Sequence, residues 1–188
     1  MRARDNPFRT ERILAVRYRL PAGNWDEFLE RLDALGRRAA IVGPHGSGKT
    51  TLLEDLAPRL RSRGYVVRPL RLDTESPRFA PGFLDGFFAS LGADDVILFD
   101  GAEQMGPFDW FRFERRSRVA AGLVITTHQP GRLPTLIETS TSPGLLDGLV
   151  EEILGREERS MTAGLHEKHG GNLREALREL YDRFSFRA

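Results

Sequence analysis

Two spacings of apolar residues alternate along this chain. Short unbroken runs at 39–42, 96–99 and 123–125 predict strands buried on both faces, as in a parallel sheet covered by helices. Between them apolar residues recur at helical spacing. Trp25, Phe28, Leu29, Leu32 and Leu35 follow Asn24, which forms a capping box with Glu27, and Gly36 supplies the stop. Leu52, Leu53, Leu56 and Leu60 carry a helix to about Arg63, with Pro58 expected to kink or interrupt it. Phe83, Leu84, Phe87, Phe88 and Leu91 predict a third helix, closed by Gly92. Two more strands, 65–72 and 134–139, carry Pro69 and Pro134; proline cannot donate to a ladder, so both belong on sheet edges.

The last third is helical. Ser142 as N-cap and Pro143 at the first position start a helix with Leu145, Leu146, Leu149, Val150, Ile153 and Leu154. A weaker helix is expected over about 157–168. Gly170 and Gly171 then break the chain, and Asn172 with Glu175 caps the stripe Leu173, Ala176, Leu177, Leu180, Tyr181 and Phe184. Alternating strands and helices followed by helices alone predict a wound α/β core over 24–141 and a small helical lid over 142–188. Residues 1–23 lack a period and crowd Arg2, Arg4, Arg9, Arg12, Arg17 and Arg19, which fits a solvated N-terminal arm; an arm binding nucleic acid or a partner is the alternative. Residues 107–118 have two aromatic sides. At about 100° per residue, Phe108 and Phe111 oppose Trp110 and Phe113. One pair packs on the sheet, and the other is expected against the lid, with base stacking as the alternative.

The chemistry sits in the loop after the first strand. Gly43, Pro44, His45, Gly46, Ser47, Gly48, Lys49 and Thr50 fit G-x-x-x-x-G-K-[ST], with a buried run before and a helical stripe after. A strand, a glycine loop and a helix N-terminus in that order make an anion cradle of backbone N–H groups, in which Thr51 opens the helix. Lys49 would reach the β- and γ-phosphates of a nucleoside triphosphate, and the Thr50 hydroxyl would bind Mg²⁺. Asp100 ends the strand at 96–100, where parallel sheets bind ligands, and can hold the Mg²⁺ shell across from Thr50.

Composition narrows the rest. The 188 residues suit one domain with a small appendage; 40% are apolar and 29% charged, as in ordinary globular proteins. A net charge of +1 leaves nucleic acid without electrostatic support as a partner and recruits no membrane surface. Cysteine is absent, so there are no disulfides or thiolate metal sites. His45, His166 and His169 lack metal-ligand spacing with carboxylates. No leader-like or membrane-spanning stretch stands out, and a cytoplasmic location is the expectation. Lys49 and Lys168 are the only lysines among 28 basic residues, which makes the placement of Lys49 more telling.

The loop, Asp100, the polar strand end Thr126-Thr127 and the run Gly171-Asn172-Leu173-Arg174 occur in the order of the AAA+ ATPases. The chain resembles that family's broad branch of helicase loaders, initiators and secretion ATPases over residues 36–188. The resemblance implies a P-loop NTPase three-layer αβα sandwich, a parallel sheet in an order resembling 5-1-4-3-2, and ATP with Mg²⁺ as cofactors. It implies a first sensor at Thr127 and a second at Arg174, reaching the γ-phosphate. Two departures stand out. The glutamate that usually follows the aspartate is replaced by Gly101, leaving Glu103 as the nearby substitute for positioning water. The lid is short, and no arginine finger is assignable beyond a guess at Arg132. His128 is similar to a strand-end histidine of ABC-type ATPases, whose signature sequence is missing. The expectation is a slow ATPase acting as a nucleotide-driven switch on an unknown protein client. A non-hydrolysing ATP-dependent interaction module stays open. So does a small-molecule kinase using Asp73 as base and Arg68, Arg71 or Arg78 as phosphate grips.

Overall fold

A computed structural model describes residues 6–20, 23–156 and 159–185. The chain falls into two compact units. One gathers the described residues of 1–18, 44–51 and 139–188; the other gathers those of 19–43 and 52–138.

The larger unit is built on a parallel sheet. Its strands are β1 (Arg38–Val42), β2 (Val66–Arg71), β3 (Asp95–Asp100), β4 (Gly122–Thr127) and β5 (Thr135–Glu138). They lie in the order β2-β3-β4-β1-β5, every pairing parallel. This is the expected order, with the Pro69 strand on one edge and the strand that follows Pro134 on the other. The long apolar runs occupy the middle because both faces there are covered. Ala40, Val42, Ile97, Phe99, Leu123 and Ile125 form one buried cluster with Phe88 and Phe113. Their alternating neighbours Ala39, Ile41, Val96, Leu98 and Val124 are also buried, on the opposite face.

Helices flank this sheet. In α2 (Trp25–Ala34) Asn24 caps through Oδ1, which accepts from the amides of Asp26 and Glu27, and Phe28, Leu29 and Leu32 are buried. Helix α3 (Lys49–Ser62) runs through Pro58 without interruption. One lost hydrogen bond is outweighed by the burial of Leu52, Leu53, Leu56 and Leu60. Helix α4 (Phe83–Ala89) ends at Ser90, before Gly92, because the Ser90 amide already closes the last turn onto Gly86 and Phe87. It buries only Phe88 fully. Helix α5 (Pro107–Arg116) buries Phe113 toward the sheet, yet Phe108 is 86% exposed and Phe111 64%. The expected packing of that pair against a lid is therefore corrected: this face of α5 is turned to solvent.

The smaller unit is helical. Helices α6 (Pro143–Leu154), α8 (Leu165–Lys168) and α9 (Leu173–Ser185) bury Leu146, Val150, Ile153, Leu165, Leu173, Ala176, Leu177 and Leu180 in one cluster with Phe8. Two expectations change here. The helix foreseen over 157–168 is broken into α7 (Arg159–Thr162) and α8, because Gly164 adopts φ 74° between them; Glu157 and Glu158 lie outside the described residues. Nor are the described residues before position 19 a solvated arm. A short helix α1 (Thr10–Ala15) follows Phe8, which is 1% exposed and packs edge-on against Phe184. Asn6 Nδ2 donates to the Tyr181 carbonyl at 2.8 Å. One phenylalanine sufficed to bring the segment into the core, a signal too small to show in any period. Arg2 and Arg4 lie outside the described residues. No helix among the described residues is long and apolar enough to cross a membrane.

Candidate functional site

The glycine loop is shaped as its sequence demands. Gly46 and Gly48 take φ of +70° and +84°, left-handed values that let successive amides turn toward one side. A Cβ on Gly46 would collide with the Asn172 side chain, so the cap of α9 presses directly on the loop. Within the described residues the amides of Gly46, Ser47 and Gly48 donate to no acceptor, which leaves a row of N–H groups with unspent capacity. Lys49 is 8% exposed, and its Nζ donates to the Pro44 carbonyl at 2.7 Å. Ser47 donates to that same carbonyl at 2.8 Å and shares a 2.6 Å hydrogen bond with Thr139. Buried cation, glycine nest and free amides are a donor set suited to a polyphosphate. Gly43 belongs to the β-unit, its amide donating to the Thr127 carbonyl at 3.1 Å. His45 and Pro44 are exposed, while Thr50 and Thr51 begin α3 half-buried.

Two residues beside this loop escaped the sequence reading. The ring of Tyr18 lies over Gly48, 3.1 Å from where a Cβ would stand, and burial raises its hydroxyl pKa above the ordinary value. Asn172, foreseen only as a cap, also touches the loop. Arg174 starts α9 just beyond it, exposed and without a hydrogen bond or ion pair among the described residues.

In the β-unit the strand ends form a second constellation. Thr126 donates to Asp100 Oδ1 at 2.7 Å and accepts from the Gly101 amide at 2.8 Å. Asp100 Oδ2 lies 3.9 Å from Arg71. Gly101 has φ 82°, and a Cβ there would strike the Leu72 carbonyl. Glutamate at 101 is thus excluded by backbone geometry. The chain instead turns through a short 3-10 helix, Ala102–Gln104, which brings Glu103 Oε1 to 3.3 Å from His128 Nε2. Glu103, Thr127, His128, Gln129, Pro130 and Arg132 line a cavity of about 300 Å³. Glu103 Oε2 and Arg132 Nη1 are both buried without a hydrogen-bond partner among the described residues. Burial lowers the Arg132 pKa, and Glu103 partly offsets this. Arg132 also donates to the Met105 carbonyl at 2.6 Å and stacks 5.0 Å from the Trp110 ring centroid. The Thr127 hydroxyl donates to the Gln129 carbonyl at 2.8 Å, so the strand-end residue touching Asp100 is Thr126.

Of the residues considered for a kinase, Asp73 Oδ2 lies 3.8 Å from Arg71 Nε. Asp73 Oδ1 accepts from the amides of Glu75 and Ser76 and closes its own turn. Arg68 pairs with Asp95 at 3.6 Å and with the Ser90 hydroxyl at 2.5 Å. No group of three or more His, Cys, Asp and Glu side chains among the described residues is arranged to hold a metal.

No protein-family model matches the chain. An uncharacterized KH and PIN-domain containing protein of Methanocaldococcus jannaschii, MJ1533, is 27% identical over 141 residues, 66% of this chain and 22% of that protein. Among solved structures, the Thermotoga maritima RuvB Holliday junction branch migration motor superposes with a TM-score of 0.56 at 18% identity, covering 82% of this chain and 58% of that one. The replication initiator DnaA, bound to AMPPCP and single-stranded DNA, gives 0.59 at 14% identity, over 90% and 63%. The chain has the fold of these P-loop ATPases. It spans less than two thirds of each.

Proposed function

We propose that this chain binds ATP with Mg²⁺ at residues 43–51 and hydrolyses it slowly, acting as a nucleotide-driven switch on a protein client. The observation that carries the reading is the loop itself: three amides with no acceptor among the described residues, around a buried Lys49. When bound, Mg²⁺ would neutralise phosphate charge, with Thr50 and Asp100 as its protein ligands on the family resemblance. Lys49 exchanges its bond to the Pro44 carbonyl for phosphate oxygens. Tyr18 offers a flat apolar ring beside the loop. Thr126 fixes the Asp100 carboxylate. Glu103, its Oε1 against His128, has Oε2 left to accept a hydrogen bond from a water. Arg174 is the group proposed to read the terminal phosphate, and Thr127 the strand-end sensor. The DnaA structure, which carries AMPPCP, supports a nucleotide on this fold.

Gly101 favours a second reading, in which ATP is bound and not hydrolysed. Calorimetry with ATP, ADP and AMP, followed by product analysis, tests both. Binding of ATP with release of ADP and phosphate supports the ATPase; binding with no product supports the pure switch; failure to bind ATP defeats both.

A further inference from the structure

We propose that the outward face of α5 is a docking strip for single-stranded DNA. Phe108 and Phe111 are 86% and 64% exposed, against 46% for Phe83 of α4 and 9% or less for Phe28, Phe88 and Phe113. Burying large rings is worth more than any other apolar burial, so two rings left in water on one helix face need a cause. At about 100° per residue, Arg112 and Arg115 fall on the same face, interleaved with the rings.

Those two guanidinium groups differ from the arginines around them. Arg116 pairs with Asp85 at 2.7 Å, Arg118 with Glu114 at 3.4 Å, and Arg38 with Glu114 at 3.5 Å. Arg112 and Arg115 have no hydrogen bond or ion pair among the described residues. The positive charge left uncompensated on α5 is therefore the charge standing beside the exposed rings. Asp109 and Glu114 stand on the shoulders of the strip, and Glu114 is already paired with Arg38 and Arg118.

A partner must supply flat apolar surfaces and negative charge in alternation, and each nucleotide of a single strand supplies one of each. Bases stack on phenylalanine regardless of sequence, and arginine takes the phosphates. Residues three and four apart on a helix are about 5–6 Å apart, close to the step between successive unstacked nucleotides. The strip is convex, and the Arg116–Asp85 pair flanks it on one side while Glu114 with Arg118 flanks it on the other. That is narrow for a protein partner, which needs some 20–30 residues a side for a stable interface. The strip carries no hydroxyl or amide side chain, and its arginines are spent on phosphates, so a deoxyribose strand satisfies every contact it offers.

The test uses the full chain and a fluorescein-labelled oligothymidylate, followed by anisotropy. Wild type should bind saturably at low salt. Phe108→Ala with Phe111→Ala should weaken binding at least about tenfold, the scale of lost base–aromatic stacking. Phe108→Tyr with Phe111→Tyr, which keeps both rings, should retain it and so separates stacking from any loss of fold. Arg112→Gln with Arg115→Gln should lower the slope of log affinity against log salt by about 1.4, since each single-strand phosphate contact contributes about 0.7. Absence of binding by wild type, unchanged binding by both alanine and glutamine pairs, or tighter binding of oligouridylate overturns the proposal. So does a wild-type dimer that the alanine pair dissociates in sedimentation, which would make the strip a contact between copies. None of these readouts requires nucleotide, so the outcome is independent of the ATP reading.

Discussion

Nε2 of His128 stands 3.3 Å from Oε1 of Glu103, joining the end of β4 to the 3-10 turn that follows β3. The imidazole fixes the carboxylate of a glutamate that lies three residues past Asp100. One carboxylate oxygen is thereby spoken for, and the other is buried with no hydrogen-bond partner among the described residues.

Glu103→Gln should lower single-turnover hydrolysis about a hundredfold or more while leaving ATP affinity within about twofold, since general-base removal costs rate and not ground-state binding. His128→Ala should lower the rate less, because it only loosens Glu103. Rapid-quench assays on both variants, with calorimetry alongside, check this. Hydrolysis untouched by either change would remove Glu103 from the reaction.

Lys49→Ala should weaken ATP by about 3 kcal/mol, roughly a hundredfold, and leave AMP nearly unaffected. The ammonium already rests on the loop's own Pro44 carbonyl, so phosphate must displace that bond, which trims the gain. Titration of ATP, ADP and AMP into both proteins reads the difference.

Arg174→Ala should cost ATP more than ADP by about tenfold, because a guanidinium with no bond among the described residues is free to meet a terminal phosphate. The comparison of the two nucleotides is the measurement; equal losses would return Arg174 to the surface.

Gly101→Ala should destabilise the protein by about 2–4 kcal/mol. Both the left-handed φ of 82° and the Leu72 carbonyl oppose a side chain. Urea unfolding is the readout. Gly101→Glu should likewise unfold the strand end and fail to raise turnover.

Glu179 should set part of the acid limit of the helical unit. Hydrogen bonds from Lys168, His169 and Arg183 hold its carboxyl down to about 2, below its ordinary 4.5. A depressed folded-state pKa gives stability that is full above the unfolded value and is lost as pH falls through the folded one. The loss therefore develops between about pH 4.5 and 2, and Glu179→Gln should flatten the melting-temperature profile there. The side chain is 18% exposed and its partners more so, which keeps the effect modest.

The sheet was readable because its central strands are continuous apolar runs and its edge strands announce themselves by proline. The phosphate loop was readable because glycine spacing is a local requirement. What escaped depended on distant contacts. Nothing local to Tyr18 says that its ring will meet Gly48, and Phe8 is a single residue without a period. Thr126 and Thr127 are adjacent hydroxyls; the alternation of side chains along β4 decides which one meets Asp100. The opposition of Phe108 and Phe111 to Trp110 and Phe113 was visible as angle, and which pair faced water needed the fold.

Pro69 and the short β5 have a consequence for how copies of this protein behave in a crowded solution. Exposed edges of parallel strands invite a neighbour's backbone to continue the ladder. On one margin Pro69 removes a donor, flanked by Arg68 and Arg71; on the other the ladder spans only Thr135–Glu138, with Pro134 at its start and a register irregularity between Ala40 and Ile41. Each margin is a poor template, so the sheet should stay at five strands and resist joining to others by its edges.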